Sequence, residues 1–129
     1  MGLAEGSAPS ARPAPPDQDL EALRTAFAEE VTARLGPLND AARELADSGS
    51  AEAARVVLLH ACTLASSAVP LGEDLAAYHA RKCEQVIAPY VDSGADPVPL
   101  EAAREAAAAA ATLGVLLGPW LLGADDHVG

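Results

Sequence analysis

The sequence predicts an all-α chain, an up-down antiparallel four-helix bundle whose first helix is kinked near Gly36-Pro37. Three observations carry that expectation. Alanine supplies roughly a quarter of the 129 residues and aromatic residues only 3%. Alanine, leucine, glutamate and arginine favour helices because they lose little rotamer freedom there. Apolar residues recur at spacings of three and four, which is the helical period and not the alternation of a strand. The connections between these stretches are short, which favours antiparallel neighbours. Runs of β-branched and aromatic residues suited to strands are missing. So much alanine also predicts helices that approach closely around a tight core lined by small side chains.

Residues 1–16 hold Gly, Ser, Ala and several prolines, ending in Pro13-Ala-Pro-Pro, without apolar periodicity. They read as a disordered or polyproline-like tail. Asp17 or Asp19 is positioned to cap the first helix, whose stripe is Leu20, Leu23, Phe27, Val31 and Leu35. Gly36-Pro37 interrupts the backbone hydrogen bonding, and Leu38, Ala42 and Leu45 continue the stripe. Ser50 is a candidate N-cap for a second helix over about 51–69. Val56, Val57, Leu58, Leu59, Leu64 and Val69 nearly encircle that helix, which predicts a central position. Pro70-Leu71-Gly72 makes a turn into a third helix over about 73–89. Its first turn carries Glu73 and Asp74, and Leu75, Tyr78, His79, Val86 and Ile87 mark its expected inner side. Pro89 and the stretch 92–99 are expected to end it, with Pro99 opening the fourth helix. The bundle is thus assigned to residues 17–123, followed by a flexible acidic tail, 124–129.

The formal charge is -11, from 19 acidic and eight basic residues. Such a surface repels phosphate backbones, and the basic residues are scattered, so nucleic-acid binding is not expected. Attraction to an anionic membrane surface is disfavoured for the same reason. Acids stand three residues before an arginine in Glu21-Arg24, Asp40-Arg43, Glu52-Arg55 and Glu101-Arg104, and four before in Glu30-Arg34. These are solvated faces that support their helices by about 0.2–0.5 kcal/mol per pair. The N-terminus lacks the basic and apolar regions of a secretory signal, and Cys62 and Cys83 lack disulfide-framework spacing. A reducing cytoplasm is the expected compartment.

Three chemical readings follow from the polar residues inside the helices. His60 stands mid-helix among Val56, Val57, Thr63 and Leu64. Over residues 27–83 the order of elements, with Gly72 downstream of the histidine, loosely resembles histidine-phosphotransfer domains. The resemblance implies an exposed imidazole nitrogen that accepts a phosphoryl group from a response-regulator aspartate. Where that family carries leucine, a basic residue and glycine after the histidine, this chain has Cys62, Thr63 and Leu64, so the domain implied is a degenerate one. A second reading takes His79 and Cys83, four residues apart on one helical face, with His60 or Cys62 from the preceding helix. Zinc or copper(I) accepts such nitrogen and sulfur ligands. The third finds no acid-base pair, nucleophilic triad or glycine-rich phosphate loop, and expects no enzymatic activity and no cofactor.

The final stretch gives the leading functional expectation. No charge occurs from Ala106 through Ala124, a tract that opens with six alanines. A helix without a polar face is expected to be covered by protein or lipid, and here by the preceding helices. Its length approaches a membrane span, but its alanines and Gly114, Gly118 and Pro119 argue against one. Pro119 is expected to end the helix and leave Trp120, Leu121 and Leu122 as an apolar hook. With Leu117, these residues are the candidate contact surface. The chain is therefore expected to be a small acidic adaptor, regulator or chaperone-like subunit. It would bind a protein partner, a second copy of itself included.

Overall fold

The structure, a computed structural model, describes residues 16–121, with side chains from Asp19 onward. Of the predicted 1–16 tail, residues 1–15 lie outside the described residues, as do Leu122 and the predicted tail 124–129, whereas Pro16 is the first residue of a helix. Four helices run in order: α1 (Pro16–Ser48), α2 (Ala51–Ala68), α3 (Asp74–Ser93) and α4 (Leu100–Leu117). One-turn 3-10 helices follow α2 at Val69–Leu71 and α4 at Gly118–Trp120. No strand occurs among the described residues. Each helix packs on its neighbours in chain order, and α1 meets α4 to close the ring, giving the expected four-helix bundle.

Local signals set the boundaries. The Ser50 hydroxyl accepts the Ala53 N–H at 3.2 Å and so caps α2. Gly72 and Gly94 stop the second and third segments in the left-handed region, where the Gly94 N–H returns to the Tyr90 and Val91 carbonyls. Helix α1 passes Gly36-Pro37 without restarting. Pro37 has no N–H to donate, and Asn39 Nδ2 adds a bond to the Leu35 carbonyl at 3.1 Å just beyond it. Helix α3 likewise continues through Pro89, where the sequence predicts an end. The exposed Pro89 ring faces out, while Tyr90 and Val91 pack against the core and hold the extra turn in place.

The core is built mainly from small side chains. Around Phe27, Val31, Leu35, Leu38 and Leu45 of α1 lie Ala53, Ala54, Ala61 and Ala65 of α2, Ala76 and Ala80 of α3, and Ala103, Ala106 and Ala110 of α4. Larger residues fill the gaps, among them Val57, Leu64, Ile87, Leu113 and Leu117. This corrects the predicted inner side of α3. Leu75 and Tyr78 are exposed, and the buried stripe is Ala76, Ala80, Cys83 and Ile87. Nor is α2 central, because Arg55, Leu59, Cys62 and Ser66 form an outward line along it. Helix α4 is only partly sheltered: Ala108, Ala111, Thr112 and Val115 face out.

The two ends of the bundle differ. At one end the α1–α2 turn and the α3–α4 loop meet, and the Val98 N–H donates to the Gly49 carbonyl at 2.8 Å. At the other end α1 is too long for its partners. It has 33 residues against 18 to 20 in the others, and its first buried side chain is Phe27. Residues 19–26 are all exposed, so α1 overhangs by about three turns.

Candidate functional site

The overhang makes one end of the molecule apolar. Of the large hydrophobic side chains that the fold leaves exposed, Leu20 and Leu23 lie on the overhang, Val69 on the turn after α2 and Leu75 and Tyr78 at the start of α3. Val115 and Leu121 come from the end of α4 and the residue after its closing turn. An up-down topology brings all of these to the same end. Only Leu59 and Leu100 lie elsewhere among the exposed large hydrophobics of the described residues. Between α1 and the end of α2 a groove of about 440 Å³ runs past Leu23, Ala26, Phe27, Ser67 and Pro70, with Glu29 and Glu30 on its wall.

Of the predicted hook, Trp120 is folded inward. Gly118-Pro119-Trp120 forms a 3-10 turn that lays the Trp120 ring edge-on to Phe27, with centroids 4.8 Å apart. The Arg24 guanidinium lies over the same ring, 5.2 Å from its centroid. Such contacts contribute roughly 0.5–1.5 kcal/mol each beyond area burial. Trp120 therefore secures the root of the overhang and is half-buried. Leu117 is fully buried in the core and is withdrawn from the candidate contact surface. Leu121 keeps 37% of its surface exposed. The large apolar side chains that stay exposed at this end include Leu20 and Leu23 of the overhang, Val69 and Leu75. The helical spacing in the sequence places these residues in the core. The signal that could have found them is length, because the apolar stripe from Leu20 to Leu45 exceeds anything the other helices can cover.

His60 sits at the α1–α2 contact, half-buried. Arg34 Nε donates to Glu30 Oε1 at 2.6 Å, and Arg34 Nη1 lies 3.1 Å from His60 Nδ1. Guanidinium can only donate, so Nδ1 accepts and the ring proton belongs on Nε2. Burial, and after it the Arg34 charge, hold the imidazole below its ordinary value of 6.5. A cation does stand beside the histidine, supplied by α1 and not by the sequence neighbours that the phosphotransfer resemblance looks to. Yet it occupies one nitrogen lone pair while the proton occupies the other. Phosphoryl transfer to this imidazole would first require Arg34 to leave.

The metal reading finds no assembled site. Cys83 is buried, its Sγ donating to the Ala106 carbonyl at 3.5 Å. Burial, and behind it the Glu84 carboxylate, push that thiol up to about 12, so the thiolate that a metal needs is disfavoured. His79 is set edge-on to Tyr78, with centroids 5.1 Å apart. Cys62 is exposed on α2. Among the described residues no three His, Cys, Asp or Glu side chains gather where they could hold a metal ion.

The membrane reading moves from α4 to α2. Among the described residues the segment Ala51–Leu71 has the length and apolarity to cross a bilayer. Cores of soluble bundles produce such helices too, and this one carries Arg55 and the Arg34-linked His60. In α4 the uncharged helical part runs only from Ala106 to Leu117, about 18 Å against about 30 Å of hydrocarbon. No protein-family model, curated protein or solved structure matches this chain.

Proposed function

We propose that this chain is a non-enzymatic protein-binding subunit, an acidic helical adaptor or regulator that engages its partner through the overhanging end of the bundle. One observation carries the reading. Large apolar side chains gather at that end, whereas the opposite end is closed by the Val98–Gly49 bond and, among the described residues, leaves Leu100 as its one exposed large hydrophobic. Exposed apolar surface concentrated in one place is a common mark of an interaction site. The two free thiols, one of them exposed, fit a reducing compartment such as the cytoplasm.

The test is site-specific photocrosslinking of the full chain in its native host. A photoreactive side chain at Leu23 or Leu75 should trap a discrete partner. The same group at Arg55 or Arg104, exposed on other faces, should trap none. Equal trapping from all four positions, or none from Leu23 and Leu75, defeats the proposal.

A further inference from the structure

We infer that the groove beside the overhang receives a basic amphipathic helix of a different protein. The inference rests on the protein-binding reading and names the chemistry of the partner. Leu20, Leu23 and Phe27 follow one another at spacings of three and four along α1, and the first two remain exposed, Leu23 at the mouth of the groove beside the end of α2. A stripe of that period is complemented by the apolar stripe of a second helix lying along it. The groove continues the stripe inward to Pro70, so an incoming leucine or phenylalanine finds an apolar seat.

Charge selects among helices of that kind. The overhang and groove carry Asp19, Glu21 and Glu29, and the adjacent start of α3 carries Glu73 and Asp74. The cations nearby are already engaged, Arg24 over the Trp120 ring and Arg34 between Glu30 and His60. Among the described residues Glu29 has no ion-pair partner within salt-bridge distance. A helix bearing lysine or arginine beside its apolar stripe meets this field favourably. A second copy of this chain does not, because it brings the same carboxylates to the same place and a net charge of -11 with them. Like-charge juxtaposition excludes acidic helices by the same argument.

The test titrates the full-length, isotope-labelled chain with three synthetic peptides. The first places leucine at helical i, i+3, i+4 and i+7 positions and lysine elsewhere. The second replaces its lysines with glutamate, and the third keeps its composition with the order scrambled. The lysine helix should bind, shift the amide resonances of Leu23, Phe27 and Ser67, and weaken as salt rises. The other two should bind at least about tenfold more weakly. Glu21→Lys with Glu29→Lys, both at exposed positions, should weaken the lysine helix and narrow its advantage over the glutamate helix, because two of the five carboxylates become cations.

Three results overturn the inference: equal binding of the ordered and scrambled peptides, no binding of the lysine helix, or shifts centred away from the groove. Crosslinking keeps it separable from the reading it rests on. If Leu23 and Leu75 trap a partner through an acidic or uncharged segment, or trap a second copy of this chain, only the basic-helix inference falls. If they trap nothing, the protein-binding reading itself falls.

Discussion

Gly49→Ala should be far more destabilising than alanine at other glycines of the same backbone conformation. Gly49, Gly72 and Gly94 all have φ close to +70°, at 70, 72 and 74°. Giving any of them a Cβ incurs the left-handed penalty, about 1–2 kcal/mol. At Gly72 and Gly94 a Cβ would meet nothing within 4 Å, so the penalty should end there. At Gly49 it would lie 2.8 Å from the Val98 carbonyl oxygen and 2.9 Å from Pro97 Cβ. One of those atoms is backbone, so relief requires the whole α3–α4 loop to move. That movement stretches the 2.8 Å bond from the Val98 N–H to the Gly49 carbonyl and lifts Val98, 2% exposed, from the core. Overpacking of this sort adds roughly 1–3 kcal/mol, for a total of about 3 kcal/mol.

The assay is urea unfolding followed by far-ultraviolet circular dichroism, on the wild type and the three alanine variants. Gly72→Ala and Gly94→Ala should each shift the stability by about 1–2 kcal/mol. Gly49→Ala should shift it by about 3 kcal/mol, or lower Tm by about 10–20 °C for a domain of this size. If Gly49→Ala is no worse than Gly94→Ala, the close approach of the loop to the α1–α2 turn is wrong, and with it the account of the closed end.

Three further outcomes follow from the side chains. Because burial and then Arg34 lower the His60 pKa, the unfolded chain takes up its proton at higher pH than the folded one. The stability owed to neutral His60 is therefore complete above about pH 6.5 and is lost as pH falls through the folded value. His60→Gln should flatten that acid limb, and Arg34→Gln should raise the folded value in a ring-proton NMR titration. An aromatic disulfide reagent at mildly alkaline pH should modify Cys62 in the folded protein and reach Cys83, whose thiol is held near 12, only on unfolding; simultaneous reaction of both would place Cys83 at the surface. A double-mutant cycle with Phe27→Leu and Trp120→Leu should give a coupling of about 1 kcal/mol, read by chemical denaturation, and a coupling near zero would leave the hook undocked.

Helix type and number were legible because they depend on composition and period, and α1 shows why. Phe27, Val31, Leu35, Leu38, Ala42 and Leu45 are all buried, at the spacings that identified them. What the period could not decide is which of two stripes faces inward. On α3, Leu75 and Tyr78 compete with Ala76, Ala80 and Cys83, and a preference for bulk finds Ile87 but takes the first pair in place of the small residues. Helices that bury small residues bring their backbones closer, and dense packing then compensates for the smaller area each side chain removes from water. Gly114 illustrates the approach, since a Cβ there would lie 3.0 Å from Asn39 Nδ2 of α1. The contacts of His60 were illegible for a different reason. Arg34 is 26 residues away, and only the register of α1 against α2 brings the two together.

That division between small and large residues bears on function. Where alanine supplies much of the core, each leucine buried in it is valuable to stability, at about 1.5–3 kcal/mol apiece. Leu20, Leu23 and Leu75 nevertheless stand 45, 44 and 59% exposed. Starting α1 at Phe27 would remove two of them with no loss to the core, whose first member on that helix is Phe27. The overhang thus does little for the fold of the single chain. At its root, Phe27 and Arg24 both pack on the Trp120 ring and brace α1 where its partners run out. A helix braced at its root and ordered in the single chain would, under the proposed protein-binding role, lose less entropy on association than a segment that must fold on its partner.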